Sequence, residues 1–78
     1  MYTVYLLQGS CRMVQMVPGP IREKSPLAAL KFVCPFNIAE TKKIKTDETT
    51  KYRSKGYDIV RVLNNDTNKE HFYAVKRA

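Results

Sequence analysis

The sequence predicts a small α+β fold: an antiparallel sheet of about four strands, in β-β-α-β-β order, with one helix packed on one face. Three observations carry this. Runs rich in β-branched and aromatic residues open the chain on either side of a Gly-Ser turn signal. Similar runs close it around an Asn-rich loop. Between them a Ser-Pro pair precedes an apolar stripe of helical spacing.

The first strand is expected over residues 2–8, Tyr-Thr-Val-Tyr-Leu-Leu-Gln. Tyr2, Val4 and Leu6 share one face, and Thr3, Tyr5 and Leu7 the other. Both faces carry large apolar groups, which suits a central strand. Residues 11–17 form the returning strand, stopped by Pro18-Gly19-Pro20 because proline donates no ladder hydrogen bond. Ser25 is the expected N-cap and Pro26 the first helical residue, where its missing N–H costs nothing. Leu27, Leu30 and Cys34 then point inward, and Pro35 disfavours helical geometry at Cys34. Residues 57–63 and 71–76 form a terminal hairpin joined by Asn64-Asn-Asp-Thr-Asn68, residues that tolerate left-handed backbone.

A chain of 78 residues makes a single domain over 1–78, with room for only a thin core. A hydrophobic fraction of 44% argues against global disorder. The charge is the distinguishing feature: fourteen Lys and Arg against seven Asp and Glu, a net +7. A field of that sign favours polyanions. Cys11 and Cys34 are too few for a disulfide scaffold, and neither sits in a CxxC pair or beside a histidine. Residues 1–7 lack the basic start and long apolar stretch of a secretory leader. No apolar run approaches the ~20 residues of a membrane span. Free thiols and a cytoplasmic location are expected, without membrane contact.

Catalytic chemistry is poorly supplied. A nucleophile and base would have to be Cys11 or Cys34 with His71, the only histidine, and no spacing supports either pair. Two cysteines and one histidine fall one ligand short of a four-ligand zinc site. The three glycines, at 9, 19 and 56, are isolated, so no phosphate-cradling loop is present. The expectation is a protein that is not an enzyme, with no cofactor, no metal and no small-molecule substrate.

Binding is the better-supported class. Residues 42–55 hold Lys42, Lys43, Lys45, Lys51, Arg53 and Lys55 against Asp47 and Glu48. This segment is expected to be a mobile basic loop that contacts the partner, with Tyr52 and Tyr57 as stacking or packing groups. Lysines outnumber arginines there, which suits phosphate contact more than base reading. The expected partner is DNA, RNA or a nucleoprotein complex.

Lys55-Gly-Tyr-Asp-Ile-Val-Arg-Val62 partly resembles the first ribonucleoprotein motif of RNA-recognition domains, and Val4-Tyr-Leu-Leu-Gln8 the second. Ile59 and Val62 replace expected aromatics, Asp58 replaces a small residue, and too little chain follows Val62, so that family is not assigned. The layout over about residues 2–76 resembles small phage-encoded anti-defence proteins, including basic anti-CRISPR proteins of βαββ type. That resemblance implies a stoichiometric inhibitor acting by protein–protein contact on a host defence complex such as a CRISPR effector. It transfers no site residues, because no motif accompanies it.

Alkylation under denaturing, non-reducing conditions should add two labels to the intact chain. Zero labels on fresh protein would reveal a disulfide or blocked thiols and overturn the cytoplasmic expectation.

Overall fold

A computed structural model describes residues 1–8 and 12–78. Its elements run β1 (Tyr2–Gln8), β2 (Arg12–Gln15), α1 (Pro26–Val33), β3 (Ile38–Ile44), a 3₁₀ turn (Thr46–Glu48), α2 (Thr49–Ser54), β4 (Asp58–Asn64) and β5 (Glu70–Arg77). The fold is α+β, with five strands in one antiparallel sheet of order β2-β1-β4-β5-β3. The expected hairpins, β1–β2 and β4–β5, are both present. Cys11 and the Gly9-Ser10 turn lie outside the described residues.

Alternation along the strands builds two apolar surfaces. Tyr2, Val4 and Leu6 of β1 stand beside Val60 and Val62 of β4 and Tyr73 and Val75 of β5. Ala29 and Leu30 of α1 close this face, and both are fully buried. Burying a leucine to that extent is worth about 2 kcal/mol. On the opposite face Ile44, Ile59 and Ala74 form a smaller cluster that receives Tyr52 of α2.

α1 begins as expected. Ser25 is extended, and its hydroxyl accepts a 3.1 Å hydrogen bond from the Ala28 N–H, with Pro26 in the first turn. It ends where Cys34, before Pro35, leaves helical geometry at φ −68°, ψ 122°. Leu30 is the centre of the inward stripe, whereas Leu27 and Cys34 are only half-buried. Burial raises the Cys34 thiol pKa, and the thiol is free. The β4–β5 loop turns at Asn68, φ +61°, with the Asn64 side chain accepting from the Asp66 and Thr67 N–H groups.

Two expectations are corrected. The helix is not alone: α2 covers the second sheet face. The expected mobile loop over 42–55 is instead the end of β3, the 3₁₀ turn and α2. β3 escaped notice because it is a polar edge strand, Ile-Ala-Glu-Thr-Lys-Lys-Ile, held by backbone pairing to β5 with a bulge between Ile38 and Glu40. α2 escaped because its Thr-Thr-Lys-Tyr-Arg-Ser composition favours helix weakly. The capped 3₁₀ turn before it and the closure after it supply what composition does not. The Glu48 carboxylate accepts from the Lys45 N–H at 2.9 Å. Beyond the last turn, Gly56 adopts φ +91°, its N–H bonds the Arg53 carbonyl, and the Tyr57 N–H bonds the Tyr52 carbonyl. This is a Schellman closure, which glycine alone enters without strain.

Ser25→Ala should cost about 1 kcal/mol through loss of the cap bond. The thermal midpoint should fall by roughly 4–8 °C for a domain of this size. An unchanged midpoint would show that the cap contributes nothing.

Candidate functional site

The Schellman closure also builds the site. It places the residue after the glycine against the residue three before the helix cap, and here both are tyrosines. The Tyr52 and Tyr57 rings meet edge to face, centroids 5.4 Å apart at 89°. Both are half-buried against the Ile44, Ile59 and Ala74 cluster, so each ring anchors α2 and shows its remaining surface to solvent.

Lysines from three elements surround this pair. Lys42 of β3 places its Nζ 5.9 Å from both ring centroids. Lys51 and Lys55 stand 5.6 and 5.4 Å from the Tyr52 ring. Lys76 of β5 stands 5.6 Å from the Tyr57 ring. An ammonium over a tyrosine face is attracted by the ring quadrupole, worth about 0.5–1 kcal/mol at exposed sites. The rings therefore gather the cations without neutralising them.

One acid enters the cluster. Glu40 Oε1 lies 3.2 Å from Lys42 Nζ and accepts a 3.2 Å hydrogen bond from the Tyr57 hydroxyl. The Lys42 contact, foremost, holds the Glu40 carboxyl below its usual range, with the Tyr57 bond adding to it. Glu40 in turn raises the Lys42 pKa. Both groups stay charged through neutral pH, and four ammoniums against one carboxylate leave the cluster positive.

Of the eight sequence-predicted residues, the structure brings together Lys42, Lys51, Tyr52, Lys55 and Tyr57. Lys43 does not join them: it pairs with Tyr73 in register and faces the α1 side. There burial, with Lys43 and Lys69 adding to it, lowers the His71 pKa. Lys45 sits at the β3 exit, its backbone engaged by Glu48. Arg53 lines two grooves, one with Leu7, Met13 and Phe72 and one with Tyr57, Asp58 and Arg77. Sequence reasoning missed Lys76 and Glu40. They face each other across the β3–β5 ladder, a juxtaposition that no local pattern announces. The Tyr52–Gly56–Tyr57 spacing, in contrast, was a readable Schellman signal.

Elsewhere on the α2 side of the sheet, the Arg61 guanidinium lies 4.3 Å from the Tyr5 ring and reaches Glu70 at 3.6 Å. Among the described residues no group of three or more His, Cys, Asp or Glu is arranged to hold a metal ion. No helix among them is long and apolar enough to cross a membrane. Comparison with known protein families, with curated proteins and with solved structures gave no match to this chain.

Tyr52→Ala should destabilise the fold by about 2 kcal/mol, less than a fully buried aromatic because the ring is partly exposed. Lys51→Ala and Lys55→Ala should each stay within about 0.5 kcal/mol of the parent. Equal denaturation midpoints for all these variants would show that the ring does not hold α2.

Proposed function

We propose that this protein is a non-catalytic binding module that engages the phosphate backbone of nucleic acid, free or within a nucleoprotein complex, in the cytoplasm. The observation that carries this reading is the convergence of Lys42, Lys51, Lys55 and Lys76 on one tyrosine pair. Lysine is a compact point charge that contacts phosphate without the planar fork needed for bidentate base reading. The module therefore binds with little sequence preference. Its affinity arises largely from release of counterions condensed on the polyanion, and so falls steeply with salt. The chain's net +7 adds long-range attraction to the same partner.

A second reading, a protein-binding inhibitor of anti-defence type, draws support from Phe32. This ring is 71% exposed on the outer side of α1, away from the lysine cluster. An exposed aromatic of that size suits a protein contact better than a phosphate contact. A native pulldown with and without nuclease separates the two readings. Loss of every partner after nuclease supports direct nucleic-acid binding, and a surviving protein partner supports the inhibitor.

The sharper test compares two triple reversals of equal net charge. Lys51, Lys55 and Lys76→Glu takes the chain from +7 to +1, each swap removing two units. Arg12, Arg22 and Lys24→Glu does the same elsewhere on the surface. All six side chains belong to exposed residues, so both variants should fold. With labelled duplex DNA the first should lose at least about tenfold more affinity than the second. Its slope of log affinity against log salt should flatten by roughly 0.9 for each phosphate no longer neutralised. Equal losses would mean that bulk charge alone matters. No binding by the parent chain would remove the reading and move the protein-contact alternative ahead.

A further inference from the structure

The lysine cluster already contains an anion of its own. Glu40 Oε1 receives both the Lys42 ammonium and the Tyr57 hydroxyl, each at 3.2 Å. Two donors from different elements thus converge on one oxygen. The sheet arranges this convergence: Glu40 and Lys42 sit two residues apart on β3, on one face, and Glu40 pairs in register with Lys76. Tyr57 reaches across from the end of α2. Among the described residues, no carboxylate lies within salt-bridge distance of Lys51, Lys55 or Lys76. One of the four ammoniums is therefore paired internally and three are not.

A carboxylate oxygen and a phosphodiester oxygen make the same demand on such donors: both are anionic acceptors that shorten and strengthen the hydrogen bonds they receive. We infer that Glu40 is a built-in competitor for backbone phosphate, and that nucleic acid binds by displacing its carboxylate from Lys42 and Tyr57. A phosphate oxygen of the ligand then takes both donors, while the freed carboxylate swings into water, where its half-exposed position at the β3 edge allows it to go. This rests on the polyanion reading above. It assigns Lys42 a role distinct from that of the other lysines. Lys51, Lys55 and Lys76 acquire a counter-charge on binding, whereas Lys42 exchanges one for another. The device sets a threshold: isolated weak anions do not displace a tethered carboxylate, while a polyanion held by the neighbouring lysines does.

The test uses the whole chain, short labelled duplex DNA and a salt titration of affinity. Glu40→Gln is compared with Glu23→Gln, a change on the loop before α1 that also takes the net charge from +7 to +8. Glu40→Gln should tighten DNA binding roughly tenfold, the scale of the charge-assisted contact that binding no longer has to break. Its salt slope should stay close to the parent's, because Lys42 neutralises the same phosphate in both. Glu23→Gln should change affinity less than about twofold. Adding Lys42→Met to Glu40→Gln should abolish the tightening. Equal effects of Glu40→Gln and Glu23→Gln, weaker binding by Glu40→Gln, or a tightening that survives without Lys42 would each overturn the inference. If Glu40→Gln matches Glu23→Gln while the Lys51, Lys55 and Lys76 reversal still weakens binding, the surface reading stands and the competitor role alone falls. If neither the parent chain nor Glu40→Gln binds DNA, both fall together.

Discussion

Strand β4 is buried from both sides, and the rest of the molecule follows from that constraint. Val60 and Val62 point to one face and Ile59 to the other, and none is more than 1% exposed. A single helix covers only one face of a sheet. α1 satisfies the first face through Ala29 and Leu30. Without a second cover Ile59 and Ala74 would meet water, so a six-residue helix of indifferent propensity is drawn down over them. Most helical stability in proteins comes from packing of this kind and little from composition.

The site is a by-product of how that second cover is fastened. α2 is too short to hold itself, and the Schellman closure at Gly56 compensates by folding Tyr57 back against Tyr52. The tyrosines are apolar on the side that meets the core and polarisable on the side that meets solvent. Lysines from β3, α2 and β5 gather over the solvent side because the rings favour cations there. Like charges in water repel only weakly at these separations, since exposed groups are screened within about 10 Å at 0.1 M salt. Glu40 relieves the part of the repulsion that concerns Lys42.

One of these lysines, Lys42, also protects the sheet. β3 is an edge strand, and Lys42, Lys43 and Lys45 lie on it or at its end. Charged lysines on an edge discourage unwanted strand pairing. β2, the other edge, is only four residues long and carries Val14 partly in the open. Its shortness gives the corresponding protection. Protection of the β3 edge and the proposed polyanion contact thus share Lys42 and the field of its neighbours. That shared origin is why a comparison of variants at equal net charge is needed to separate a site from a solvated surface.

The two hairpins, the Ser25 cap, the stop before Pro35 and the left-handed turn at Asn68 were all legible in the sequence, because each depends on neighbours in the chain. So was the basic segment, which is a matter of composition. β3 and α2 were not legible. A polar edge strand is fixed by hydrogen bonds to β5, the last strand of the chain, and a six-residue helix by burial of one tyrosine against three separate strands. Site membership divided in the same way. Lys51, Tyr52, Lys55 and Tyr57 were within reach of local reasoning because they lie close together in one basic stretch of the chain. Lys43 left the site because strand alternation turns it to the other face. Lys76 and Glu40 entered it because antiparallel register sets them opposite each other. Residues close together along the chain set its local punctuation and the sign of its field. The tertiary structure alone decided which charges share a face, because that depends on pairing between segments distant in sequence.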